Sequence, residues 1–220
     1  MLSSERVNKQ TRGRGRTSDY PRVLGGVLCL DFANTIDGRL SESPEEFINK
    51  YEDLVGWAFH VGLVDDRERE ALLSKAKSRR SECAALFERC LELREAIYLV
   101  FRAIARSEAP VSHDVSRIGH EYAAGLRWAR LVPRGANWAW SWSGDDETTH
   151  PLWALADSAV ELLSHGDVSR VKECLGAHDC GWLYYDTSRN RTRRWCSMEG
   201  CGSRVKMRRH YARRKGIRRP

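Results

Sequence analysis

The 220-residue sequence has no apolar run near the roughly 18 residues that a membrane-spanning helix needs. Its N-terminal stretch, MLSSERVNKQTRGRGR, also lacks the apolar core of a secretory signal peptide. We therefore predict a cytoplasmic protein with no membrane partner. In that compartment, the seven cysteines favour metal ligation or free thiols over disulfides.

Acidic residues are scarce in the last quarter of the chain. Residues 168–220 contain 15 Lys or Arg and four Asp or Glu, a net charge of +11, whereas residues 1–167 carry a net charge of −4. A charge block confined to one end is typical of a module that binds a polyanion. The plainer interpretation is a solvated tail, but this basic run is joined directly to an array of cysteines.

The first half of the chain predicts mostly helices. Residues 1–20 contain RGRGR and few large apolar residues, which predicts a flexible basic tail. The apolar run Val27–Phe32 lies between a Gly-Gly pair and an Asn and predicts a buried strand. Helices are predicted over residues 43–58, 65–77, 81–106, 111–125 and 150–166. The longest has a wide apolar stripe, and its Cys83 and Cys90 are expected in the core.

Alternating residues around Pro133-Arg134-Gly135 predict a β-hairpin before the last of these helices. Trp138, Trp140 and Trp142 are two residues apart and therefore share one face. That face is predicted to pack on the helices, whose apolar stripe needs a partner. The alternative is an aromatic platform for a ligand or for nucleic acid. The elements predict an α+β fold, with a mostly helical domain over residues 21–167 and a small β element.

Four cysteines in the basic segment have the spacing C-x5-C, fifteen residues, C-x4-C: Cys174, Cys180, Cys196 and Cys201. Two pairs at this separation are typical of a structural zinc site. The intervening GWLYYDTSRNRTRRW predicts a hairpin that returns the second pair to the first, and Gly202-Ser203 can open a helix. This order predicts a treble-clef-like finger over residues 168–220 with one structural Zn²⁺ per chain. The alternatives are His178 as a ligand in place of Cys180, or four reduced cysteines without metal.

The predicted helix after the cysteines, RVKMRRHYARRK, is basic on several sides and has no wide apolar stripe. Such a helix suits phosphate contacts along a groove, where Arg also reads guanine edges. The main DNA-contact set is expected to be Arg204, Lys206, Arg208, Arg209, Arg213 and Arg214. Flanking phosphate contacts are expected from Arg191, Arg193 and Arg194. Arg204 and Arg208 are the candidates for base contact, because they lie nearest the helix start.

The segment DCGWLYYDTSRNRTRRWCSMEGCGSRVKMRRHYARR (residues 179–214) resembles the CGNR zinc-finger family. Ser203 stands where the family motif has Asn, and the first cysteine pair encloses five residues instead of four. GGVLCLDFANTID (residues 25–37), with the helices and Trp hairpin after it, resembles the ABATE domain that accompanies this finger. The resemblance implies a stress-induced transcription regulator that binds DNA, and it brings no catalytic residue.

We therefore predict a DNA-binding transcription regulator, not an enzyme, whose partner is double-stranded DNA at the nucleoid. The N-terminal domain is expected to sense a small-molecule effector or to form a homodimer, and to keep its fold when residues 168–220 are deleted. One alternative is RNA binding through the basic residues and the aromatic residues Trp182, Tyr184 or Tyr185. The other is an enzyme whose pocket uses Asp31, Asn34 and Asp37, although Asn34 and Asp37 more simply serve a turn.

Overall fold

The computed structural model describes residues 20–142, 147–176 and 180–214, so all but Tyr20 of the predicted flexible tail lies outside the described residues. The helices are α1 (Leu28–Ala33), α2 (Tyr51–His60), α3 (Asp66–Ser78), α4 (Arg80–Ala105), α5 (Ser112–Leu126), α6 (His150–Ser164) and α7 (Ser203–Arg214). The strands are β1 (Ile36–Asp37), β2 (Glu45–Glu46), β3 (Ala129–Arg134), β4 (Asn137–Trp142), β5 (Val171–Glu173) and β6 (Leu183–Tyr185). They form three antiparallel pairs, β1–β2, β3–β4 and β5–β6, which confirms the predicted α+β fold.

The long helix α4 is the centre of the N-terminal domain. Its apolar residues recur every three or four positions, and Leu93, Ile97 and Phe101 are completely buried. Helices α1 and α5 and strand β5 pack against it, and α6 packs on α1 and α5. Cys83 and Cys90 are core residues of α4, as predicted. Among the described helices, none combines the length and the apolar character that crossing a membrane requires.

The prediction of a strand over Val27–Phe32 is wrong, because these residues lie mostly in the short helix α1. Residues 29–33 are all buried, and α1 packs against α4, α6 and β6. A short apolar run that is buried on every side lacks the periodicity that separates a strand from a helix. The turn before α1 uses Gly26, whose φ of +77° is a left-handed conformation that glycine adopts without strain.

The helix predicted from Ser43 is also wrong at its start, since α2 begins only at Tyr51. The residues between them include β2, where the Glu46 carboxylate accepts hydrogen bonds of 2.8 and 2.7 Å from the Arg94 guanidinium. Arg94 is 3% exposed. Arg94 also donates to Thr35 and Glu95. Hydrogen bonds between charged groups contribute about 1.5–3 kcal/mol each, so the two that Glu46 accepts outweigh a helix-start signal of about 1 kcal/mol.

The predicted hairpin is present as β3–β4, but the predicted packing of its tryptophan face is wrong. Trp138 and Trp140 are 65% and 55% exposed. Trp142 does turn back to the domain, where its ring stacks on His150 with centroids 6.3 Å apart. The apolar stripe of α4 is covered by α1, α5 and β5 instead, so the helices do not need the hairpin as a partner.

Candidate zinc centre and basic helix

Four buried cysteine sulfurs meet at one point of the C-terminal segment. The Sγ atoms of Cys174, Cys180, Cys196 and Cys201 all lie within 4.8 Å of one another. The Cys180–Cys196 and Cys196–Cys201 sulfur distances are 3.8 and 3.7 Å, far longer than the roughly 2.05 Å of a disulfide. A tetrahedron with zinc–sulfur bonds of about 2.3 Å has edges of about 3.8 Å. The observed spacing is therefore that of a tetrathiolate metal site.

Two local structures deliver these cysteines. Cys174 directly follows β5 and Cys180 lies just before β6, so the β5–β6 pair supplies the first two thiols. Cys196 is tied to the first of them, because its backbone amide donates to Cys174 Sγ at 3.2 Å. Cys201 lies in a π-helical turn, Met198–Gly202, that runs straight into α7. The second pair thus precedes the basic helix, as predicted.

The hairpin predicted between the two cysteine pairs is wrong. β6 pairs with β5, upstream of the first cysteine, and not with residues 191–195. The other edge of β6 is also occupied: the Leu183 amide donates to the side chain of Asn34 at 2.8 Å, and the Tyr185 amide donates to the Gly25 carbonyl at 2.7 Å. With both edges paired, β6 has no free edge for the returning chain.

The surroundings of the sulfurs fit a bound zinc ion. A Cβ atom at Gly176 would lie 2.7 Å from Cys201 Sγ, so only glycine allows this close approach. The Gly176 amide donates to Cys174 Sγ at 3.4 Å, and such bonds stabilise a thiolate. His178, the alternative ligand, lies outside the described residues.

Without a metal, the buried thiols of the cluster compensate one another's charge through hydrogen bonds. Hydrogen bonds from Cys180 and from the other thiols lower the pKa of Cys174 far below that of a free thiol. The pKa values of Cys180 and Cys196 are raised, because both donate to a thiolate at Cys174 and because burial disfavours further charge. Four thiolates this close repel one another unless a divalent cation compensates their charge.

The finger is docked on the N-terminal domain through Asn34. Its side-chain amide donates to the Leu183 carbonyl at 2.8 Å and its side-chain oxygen accepts from the Leu183 amide, so it pairs with β6 as a neighbouring strand would. Leu183 and Val171 are 0% and 2% exposed and belong to the main core. Sequence reasoning assigned Asn34 to a turn and missed this contact; a polar residue inside an otherwise apolar buried segment was the available signal.

The predicted DNA-contact residues fall into two structural groups. Lys206, Arg208, Arg209, Arg213 and Arg214 are all exposed on α7, together with Arg204. The two arginines at 191 and 193 are instead held by contacts within the chain. Arg191 donates to the Asp167 carboxylate at 2.8 Å. Arg193 donates to the carbonyls of Trp195 and Cys196, and its guanidinium lies 4.3 Å from the centre of the Tyr184 ring. Arg194 is exposed and lies 5.6 Å from the Trp195 ring centre. The structure thus exposes the predicted residues on α7 and gives Arg191 and Arg193 intramolecular partners. DNA contact by any of them stays a prediction.

Comparison with known proteins gives two family matches. Residues 26–166 match ABATE, described as "Putative stress-induced transcription regulator". Residues 170–214 match the CGNR zinc finger. Because the first match covers more than half of the chain, the chain belongs to the ABATE family. Both resemblances seen in the sequence, to the ABATE domain and to the CGNR zinc finger, are confirmed. The four clustered cysteines of the finger agree with a cofactor of one structural zinc ion. No curated protein matches the sequence significantly.

A buried carboxyl beside the docked finger makes the stability of the chain depend on pH. Burial raises the pKa of Asp31 to about 7, although backbone amides, including Gly25 at 2.6 Å, lower it in part. Since the pKa of an unfolded Asp is about 4, the folded chain holds the extra proton, and this contribution to stability is lost as the pH rises from about 4 to about 7. Relative to Asp31→Asn, the wild-type free energy of unfolding should fall by up to about 1.4 kcal/mol per pH unit in that range.

Urea unfolding of both chains across this pH range measures the difference. The zinc centre is common to both, so its own response to acid cancels. A difference that stays constant with pH would contradict the assignment to Asp31.

Proposed function

We propose that this chain is a transcription regulator that binds duplex DNA through α7. The observation that carries the proposal is the composition and exposure of that helix. Six of its twelve residues are Lys or Arg, none is acidic and none is buried. A helix with a single sign of charge and no buried side chain presents its surface to a polyanion.

The proposed ligands of the zinc ion are Cys174, Cys180, Cys196 and Cys201, and their role is to fix where α7 begins. Cys201 lies in the turn that becomes the helix, so a bound ion would hold that turn against β5 and β6. Two further contacts close the turn: the Ser197 hydroxyl accepts from the Gly200 amide at 3.1 Å, and the Ser203 hydroxyl donates to the Met198 carbonyl at 3.0 Å. The helix therefore leaves the finger in a defined direction.

The faces of α7 indicate how it would enter a groove. Val205 and Ala212 are half-buried, whereas Met207 and Tyr211, on the opposite side, are 56% and 55% exposed. A helix of about 10–12 Å diameter fits the roughly 12 Å major groove. In that orientation the exposed apolar pair faces the base edges, where apolar side chains contact thymine methyl groups, and the cations beside it face the phosphates.

The decisive experiment removes four of these charges together. We expect replacement of Arg208, Arg209, Arg213 and Arg214 by Ala to weaken duplex binding about a hundredfold or more at physiological salt. The log–log salt dependence should flatten by about 0.9 for each phosphate that is no longer neutralised. Fluorescence anisotropy with a labelled duplex, titrated at several salt concentrations, measures both quantities.

A matched control removes the same charge elsewhere. Arg67, Lys77, Arg79 and Arg80 are exposed on α3 and at the junction with α4, and their replacement by Ala should leave binding nearly unchanged. If both variants weaken binding equally, the effect is due to net charge and not to α7. If the α7 variant binds as tightly as the wild type, α7 does not bind DNA. Tighter binding to RNA than to duplex DNA would favour the RNA-binding alternative.

The same proposal places the chain in the cytoplasm at the nucleoid. It leaves to the N-terminal domain the sensing of a small-molecule effector or the formation of a homodimer. Ligand-induced shifts of the melting midpoint test the first of these roles, and the solution mass from light scattering tests the second.

A further inference from the structure

Arg204 differs from the other cations of α7 because it contacts the zinc centre. It lies in the first turn of the helix, three residues after Cys201, and its Nη2 donates to Cys201 Sγ at 3.4 Å. Side chains on a helix lean back towards its N-terminus, so a residue three positions later covers the preceding turn. At a helix start, the spacing C-x-x-R therefore places the guanidinium of Arg204 within hydrogen-bonding distance of Cys201 Sγ.

The charge of the centre explains what this contact does. A zinc ion with four thiolates carries a net charge of −2, which buried surroundings disfavour unless N–H donors point at the sulfurs. Cys174 receives two backbone donors, the amides of Gly176 and Cys196. Among the described residues, the donors to Cys201 Sγ are the Cys196 thiol and the Arg204 guanidinium. Once zinc binds, the Cys196 thiol has given up its proton, and Arg204 is the donor that remains.

Arg208, one turn further along α7, is exposed and offers a matched comparison with the same side chain on the same helix.

We infer that Arg204 is a positioning residue of the zinc centre, which holds and neutralises the Cys201 thiolate, and that it does not belong to the set of cations that α7 offers to DNA. This inference rests on the proposed ligand set and not on DNA binding. Arg204, which its position near the helix start made a candidate for base contact, is thereby assigned to the zinc centre.

Transfer of zinc from the full-length chain to a chromogenic chelator tests the inference. Loss of a hydrogen-bond partner to a metal ligand typically weakens a site about 10–100-fold, so Arg204→Ala should release zinc faster by about that factor. Arg208→Ala should release zinc at the wild-type rate. Arg204→Lys keeps the positive charge but loses the planar fork, and should restore the rate in part. If the Ala variant does not fold, the Lys and Arg208→Ala chains still supply the comparison.

Equal zinc release by Arg204→Ala, Arg208→Ala and the wild type would overturn the inference. A second readout separates it from the proposed function. In duplex titrations, Arg208→Ala should flatten the salt dependence by about 0.9, whereas Arg204→Ala should leave the slope unchanged once zinc is saturating. Equal flattening by both variants would return Arg204 to the DNA-contact set. If the wild type binds no duplex, the zinc-release comparison stands on its own.

Discussion

Removal of zinc is expected to lower the melting midpoint of the whole chain, and not only to unfold the C-terminal finger. Structural zinc contributes about 10–16 kcal/mol to the folding of small zinc modules, as much as the entire stability of a typical domain. Here β5 and β6, which flank the first two cysteines, also complete the N-terminal core through Val171 and Leu183. When the metal leaves, β5 and β6 are no longer linked to the second cysteine pair, so their packing on the domain and their pairing with Asn34 are weakened.

Two forms of the zinc-free chain should behave alike, chelator-treated wild type and Cys196→Ser. Six of the eight tryptophans lie in the N-terminal domain, among them Trp57, which is 1% exposed. Trp182 and Trp195 belong to the finger, so both are replaced by Phe in every chain compared, and the remaining fluorescence reports on the N-terminal domain. Cys83→Ala is the control, because it removes a buried thiol from α4 outside the cluster and should keep zinc bound. An identical tryptophan melting transition with and without zinc would show that the finger and the domain are energetically independent.

The second large effect is expected from shortening the chain. A chain ending at residue 167 should keep a cooperative transition, but with a midpoint lower by about 10 °C or more. Burial of Val171 and of Leu183 contributes about 1.5–3 kcal/mol each, and leaving the buried Asn34 amide unpaired costs about 1–3 kcal/mol. A chain ending at residue 187 retains β5, β6 and their packing on the domain. Its melting midpoint should therefore be higher than that of the chain ending at 167, although it lacks the second cysteine pair.

Asn34→Ala in the chain ending at 187 provides the matched control. It removes the two hydrogen bonds to Leu183 and should cancel most of the recovery. Calorimetry of the three chains gives the midpoints. Loss of any cooperative transition in the chain ending at 167 would contradict the proposed domain boundary, and equal midpoints for the two shortened chains would contradict the structural role of β5–β6.

Local signals were sufficient to predict the long helices. Helices α3 to α6 lie close to their predicted bounds, and α3 begins with the capping box that Asp65 and Glu68 form. The cysteine spacing predicted the sulfur cluster for a similar reason, because zinc demands a particular set of ligands whatever the rest of the fold.

The errors lie where a distant residue decides the structure. Arg94 holds Glu46, 48 residues away in the sequence, out of the predicted helix. Asn34 occupies the edge of β6 from 149 residues away, which prevents the predicted hairpin. Periodicity and end signals describe only neighbours within a turn or two, so neither contact was available to sequence reasoning. The Arg204–Cys201 hydrogen bond is local and was open to prediction, because its residues are three positions apart.

The absence of any buried residue in α7 has a thermodynamic consequence. Isolated helices shorter than about 12–15 residues are marginal in water, and α7 has twelve residues anchored at one end. Ordering the far end of the helix on a partner costs about 1–2 kcal/mol of backbone entropy per residue fixed. If α7 binds DNA as proposed, part of the electrostatic attraction is used to complete the helix, and binding should be accompanied by a gain in helical circular dichroism and by a negative heat-capacity change. The affinity will then rise with anything that orders α7 in advance, even when the helix touches its partner through the same side chains as before.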